Sequence, residues 1–261
     1  MKRMSKLMIG AVCAIAVCAS SSQVFSQGLI GHWMFEEGSG EVAADSSGNN
    51  NNGTVFNASN GLGEAGSVWV NDSERGSVIS FGGTEAGAYV VTANTLPVMT
   101  LEQNFTWMFW AKQAEGNLNN HIIMGNRYNL DGVDFVPRQF IKFTPTKFEW
   151  HTEGNGNDNM DYDDLENNVW NHHVVVKNGA QLTYYRNGVI ASTGVVTQPL
   201  LAGQPLLFGG DNTGAAGENW TGYLDDARVY DAALSRDQVI DVFVSEGGVK
   251  SYAGDESLQL K

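Results

Sequence analysis

Cysteine is almost missing from this 261-residue chain: the two present, Cys13 and Cys18, both lie near the N-terminus. With that segment removed, a disulfide framework, thiol catalysis and a cysteine-held metal are all excluded. Long hydrophobic runs are missing too. Leu7 to Val17 is eleven residues long, short of the roughly 18 needed to cross a bilayer. It follows Lys2, Arg3 and Lys6, so residues 1–26 read as a secretory signal peptide cleaved before Gln27. The mature protein is expected to be extracellular or periplasmic, without membrane insertion. Basic residues are scarce as well: 15 Lys and Arg face 29 Asp and Glu, a formal net charge of −14. Loss of the three basic residues of the signal takes this to near −17. Such a field repels nucleic acid, anionic lipid and acidic polysaccharide while leaving neutral glycans as partners. Phosphate-cradling, nucleophile-elbow and His-Glu-x-x-His zinc motifs do not occur.

What the chain does contain is a long series of short apolar or alternating runs, separated by Gly, Asn and Ser clusters. Fourteen such runs between Leu29 and Tyr230 predict an all-β fold, two antiparallel sheets packed as a sandwich. Asn178-Gly179 and Asn187-Gly188 predict hairpin turns with left-handed φ at both turn positions, making residues 170–194 a three-strand meander. Ser235 followed by Gln238 is a capping box, and Val239, Val242 and Phe243 follow at helical spacing before Gly247-Gly248. One short C-terminal helix is therefore expected. A single domain over residues 28–247, with a loose tail over 248–261, accounts for the pattern.

Two acidic or amide-rich stretches call for an explanation. In Thr221 to Leu234, Leu224, Ala227 and Val229 supply packing groups, while Asp225 and Asp226 put adjacent carboxylates into a strand. Far upstream, residues 44–54 are a run of oxygen-bearing side chains. If the first and last strands lie side by side, the two stretches can close on one calcium ion, which takes six to eight oxygens. The expected ligands are Asp45, Asn49, Asn52 and Asp225, with Asp226 as the substitute if the register shifts. Residues 153–166 are also acidic, but Met160 stands where a calcium loop needs Gly, so a solvated loop is the better reading.

Several motifs, in order, resemble the laminin-G-like, concanavalin A-like jelly-roll domains of secreted bacterial proteins. They are His32 to Gly40 with Asp45-Ser46-Ser47-Gly48, Phe105 to Trp110, Trp170 to Val176, Tyr184 to Gly188, and Gly222 to Tyr230. The resemblance implies a two-sheet antiparallel jelly roll. It implies a glycan-binding or adhesive module, often with one structural calcium near the chain ends. It fixes no ligand, because the fold hosts many functions. Glucanases of this kind place carboxylates on one strand face; Glu149 and Glu153 have that spacing, with His151 between them where those relatives carry Asp. Without the full acidic signature, catalysis is the secondary expectation. Trp33, Trp107 and Trp110 lie in strand motifs and are assigned to the core. Tyr128, Trp150, Tyr162 and Trp220 adjoin polar loops and are the expected ligand-binding rings, with Arg127, Asn129 and Asp131 as further hydrogen-bonding groups. His172 and His173 are adjacent, point to opposite strand faces and cannot chelate one ion together. The expectation is a secreted, non-catalytic module binding an extracellular glycan or a surface protein.

Overall fold

The computed structural model describes residues 28–56, 68–82, 88–95, 103–114, 120–127, 139–152, 156–198, 205–210 and 218–249. Residues 1–27, expected to hold the signal peptide, and Tyr128, Asn129, Asp131, Glu153 and residues 250–261 lie outside them. In chain order the strands begin with β1 (Leu29–Trp33), β2 (Val42–Ala43), β3 (Gly53–Phe56), β4 (Trp69–Asp72), β5 (Gly76–Gly82) and β6 (Tyr89–Thr95). Next come β7 (Phe105–Gln113), β8 (Met124–Gly125), β9 (Gln139–Phe143), β10 (Lys147–Thr152), β11 (Gly156–Asn157) and β12 (Met160–Asp161). The last are β13 (Trp170–Asn178), β14 (Gln181–Arg186), β15 (Val189–Val195), β16 (Pro205–Phe208) and β17 (Thr221–Tyr230), followed by the helix α1 (Arg236–Ser245).

These strands form two antiparallel sheets. The first runs β15-β14-β13-β7-β17-β5-β4, with β1 added along β17. The second runs β11-β10-β9-β8-β16-β6-β3-β2, with β12 beside β10. Between them lies an aromatic core that includes Trp33, Phe81, Trp107, Phe109, Phe143, Phe148, Trp150, Phe208 and Trp220. Its rings meet mostly edge to face, as Phe109 and Phe143 do at 4.8 Å and 88°.

β7 explains its own sequence. A strand with one wet face alternates, yet Phe-Thr-Trp-Met-Phe-Trp-Ala is buried throughout. Trp107, Phe109 and Ala111 enter the inter-sheet core; Met108 and Trp110 face outward, beneath α1. The helix starts where its capping box predicts, with Ser235 accepting from the Gln238 N–H and the Gln238 side chain returning to Ser235. Val239, Val242 and Phe243 are its buried residues, each contributing about 1.5–3 kcal/mol.

The meander is present as β13-β14-β15. Asn187 and Gly188 both take left-handed φ, 53° and 75°, the arrangement that matches strand twist. The other turn differs from expectation: Asn178 still pairs with Gln181, so the turn residues are Gly179 and Ala180, and only Gly179 has positive φ.

Candidate functional site

The outer face of the second sheet carries a group of charged and aromatic side chains that simple alternation puts there. In β9, Ile141 and Phe143 point into the core while Phe140 and Lys142 point away; in β10, Phe148 and Trp150 point inward while Glu149 and His151 point away. Register then sets Glu149 directly opposite Lys142 and His151 directly opposite Phe140. Arg127, just after β8, and Glu218, before β17, complete the patch.

Lys142 is its centre. Its ammonium lies 2.9 Å from Glu218 Oε2 and 3.3 Å from Glu149 Oε2, and donates to the Asn120 carbonyl at 3.1 Å. Arg127 pairs with the other oxygen of Glu218, and its guanidinium lies 5.3 Å over the Phe140 ring. His151 stacks on Phe140 at 4.6 Å with the planes only 3° apart, and its Nδ1 lies 3.6 Å from Glu149. Burial raises the Glu218 carboxyl, but Lys142 and Arg127 outweigh it and hold that group below the usual range. Burial, reinforced by Lys142, holds the nearby His121 below its usual value.

Depth separates the two signs of charge. The Lys142 and Arg127 side chains are 3% and 4% exposed, whereas Glu149, Glu218 and His151 are 12%, 18% and 21% exposed. The cations lie deepest, and the carboxylates and imidazole above them are largely buried with an edge at the surface. Nothing in the sequence paired Lys142 with Glu218. A lysine alternating with Ile141 and Phe143 was the signal for Lys142 alone.

The residues expected to hold ligand or metal fall elsewhere. Trp150 and Trp220 are wholly buried, so neither presents a ring to solvent; Trp150 donates to the Gln198 carbonyl instead. Tyr162 packs against the core, stacked on Tyr184 at 4.1 Å with its hydroxyl on the Thr144 carbonyl. These three assignments as binding platforms are therefore corrected: alternation turns the tryptophans inward, and Tyr162 is held against Tyr184 and Thr144.

β1 does pair with β17, which brings the two oxygen-rich stretches together through His32. Its backbone N–H donates to Asp45 Oδ1 at 2.9 Å and its Nε2 lies 3.0 Å from Asp226 Oδ1. Asp45 organises its own loop, accepting also from the N–H groups of Ser47 and Asn51, each at 2.9 Å. Burial alone would raise the Asp45 carboxyl, but these bonds from Ser47, His32 and Asn51 hold it low. Asn52 Oδ1 accepts from the Asp45 N–H, and Asn49 donates to the Leu29 carbonyl and to Ser47. Asp225 Oδ2 is 2.6 Å from Arg75 Nε, and Asp226 Oδ2 is 3.1 Å from Arg75 Nη2. Asp45 and Asp225 thus carry N–H and guanidinium partners, Asn52 Oδ1 accepts an N–H, and Asn49 is tied through its amide nitrogen. Among the described residues no group of three or more His, Cys, Asp or Glu could hold a metal ion. His172 and His173 are both buried and do point to opposite faces, His172 onto Trp110 and His173 onto Phe109.

Comparison with known proteins agrees with this architecture. Residues 81–240 match the family described as the concanavalin A-like lectin/glucanases superfamily, Laminin_G_3. The match spans more than half of the chain, which belongs to this family. No curated protein matches it. Among solved structures, domain 4 of AbnA, an extracellular arabinanase from Geobacillus stearothermophilus bound to arabinotriose, aligns with a TM-score of 0.61 and 18% identity, covering 82% of this chain and 97% of that one. The binding domain of Paraclostridial Mosquitocidal Protein 1 aligns at 0.58 and 17% identity, covering 84% and 52%. A Trypanosoma rangeli sialidase in complex with 2,3-difluorosialic acid aligns at 0.55 and 14% identity, covering 84% and 33%. At these identities the likeness is one of fold, and the chain spans about half of the toxin domain and a third of the sialidase.

Proposed function

We propose that this chain is an exported, non-catalytic carbohydrate-binding module that takes a neutral glycan on the outer face of its second sheet. The observation that carries this reading is the charge cluster: Glu149 and Glu218 lie above the deeper Lys142 and Arg127, which pair with them. Carboxylates accept hydrogen bonds from sugar hydroxyls and repel anionic ligands, and here they sit beside the partly exposed His151 ring, which covers buried Phe140 and can receive the C–H face of a sugar. Family membership and the arabinotriose bound by the arabinanase domain favour the same reading. The basic and apolar N-terminal residues favour export.

Hydrolysis is disfavoured by the same geometry. A glycosidase needs one protonated carboxyl beside one ionised carboxylate. Lys142 and Arg127 hold Glu218 below the usual carboxylate range against its burial, which opposes its use as the acid. The reading needs no calcium ion, since Asp45 is bonded to backbone N–H groups and Asp225 to Arg75.

The test is a panel of neutral and acidic oligosaccharides, arabinotriose included, titrated calorimetrically against the protein and its Glu149→Gln and His151→Ala variants. Binding of a neutral glycan, weakened about tenfold or more in either variant, is expected. Failure of every neutral glycan to bind a folded protein overturns the proposal and leaves a surface protein as the partner.

A further inference from the structure

The charged groups on the outer face of the first sheet can do more than join strands. The resemblance implies a structural calcium near the chain ends; β1 does lie beside β17, and the carboxylates expected to hold the ion meet Arg75 and backbone N–H groups there. We infer that the chain supplies its own cation at this place: the guanidinium of Arg75 takes the role of a structural metal, and the fold is independent of calcium.

Arg75 comes from the turn between β4 and β5, yet it reaches acids 150 residues away. Its Nε is 2.6 Å from Asp225 Oδ2 and its Nη2 is 3.1 Å from Asp226 Oδ2, while Nη1 donates to the Glu246 carbonyl at 3.3 Å. One planar cation thus draws oxygens from β17 and from the C-terminal end of α1. The Arg75 side chain is 11% exposed, because the Trp110 ring lies 4.2 Å from it and Trp170 5.6 Å. Arg228 reinforces it, pairing with Asp226 at 3.4 Å and with Glu246. A fixed fork of donors suits paired carboxylates in directions that a spherical ion does not distinguish. A calcium ion entering here would have to displace a nearly buried guanidinium and face two like charges.

The β17 backbone shows how two adjacent acids can serve one cation. Pairing with β7 shifts register between Asp225 and Arg228, and Asp226 takes φ 48°. This bulge keeps both carboxylates on the outer side while Leu224 and Ala227 remain in the core.

Thermal unfolding of the mature protein in calcium and in chelator, with calcium titration calorimetry, tests the inference on the wild type. An unchanged Tm and no heat of calcium uptake are expected; a Tm that falls in chelator and recovers with calcium overturns it. Arg75→Ser should lower Tm by about 5 °C or more, the effect of leaving buried acids without their cation. An unchanged Tm in that variant also overturns the inference. If Arg75→Ser does not fold, Arg75→Lys, which keeps charge but not the fork, is expected to fold with a lowered Tm in chelator and calcium alike. A Lys variant as stable as the wild type counts against the guanidinium's role.

Discussion

Acid should destabilise this protein in part through His172, one of two adjacent buried histidines held below their usual value. The imidazole is wholly buried beneath α1, its ring 5.2 Å from Trp110 and 5.6 Å from Phe243, and neither ring nitrogen has a hydrogen-bond partner. Glu246 approaches its Nε2 at 3.6 Å, with Arg228, Arg75 and Asp226 in the same field. Burial first, then the two arginines, pushes its pKa from 6.5 down to about 3. The unfolded chain therefore binds a proton across a window in which the folded chain does not, so this group adds stability above about pH 6.5 that is lost as the pH falls toward 3. The difference is about 1.4 kcal/mol per pH unit through most of the window, or about 3 kcal/mol between pH 7 and pH 4. For a chain of this size that is a fall in Tm of about 6–12 °C. His172→Phe keeps a ring against Trp110 and Phe243 but cannot take a proton. Calorimetric scans of both proteins across this range should show the wild type losing Tm faster on acidification, by most of that amount. Parallel curves would refute the buried neutral imidazole as a source of acid lability.

Three further outcomes follow from the described contacts. Asp45→Asn removes a charged acceptor from three backbone N–H groups and should cost about 2 kcal/mol in urea unfolding, by the same amount with or without calcium. Lys142→Met leaves Glu149 and Glu218 without the ammonium between them; about 3 kcal/mol of destabilisation and a higher Glu218 pKa in carboxyl NMR titration are expected, and an unmoved pKa would contradict the described pairing. Trp150→Ala should destabilise by about 3–5 kcal/mol as a core truncation, and a loss under 1 kcal/mol would place the ring outside the core.

Local chemistry made much of the fold legible in advance. The run from Phe105 to Gln113, the Asn187-Gly188 turn and the Ser235 capping box each specify their element within a few residues, and the structure follows them. The short strands β2, β11 and β12 escaped notice because two residues carry no period. Trp150 was misplaced by weighing its polar neighbours over parity: the alternation that puts Glu149 and His151 outward puts Trp150 inward. Arg75 and Glu218 were invisible for a different reason. Each sits in a turn or loop where a charge is ordinary, and its partners lie 150 and 76 residues away. Only the closed sandwich brings such pairs together.

The bulge in β17 also separates what that strand packs from what it charges. Its first half, Thr221 to Leu224, pairs with β5, and its second half, Ala227 to Tyr230, pairs with β1. Asp225 opposes Trp110 and Arg228 opposes Met108, so three steps on β17 span two on β7. Deleting Asp226 would close the bulge into plain alternation, with Leu224, Ala227 and Val229 still facing the core, and would remove one of the two carboxylates that meet Arg75. The sandwich could keep its packing face through the loss of that one codon and give up only part of its charge cluster.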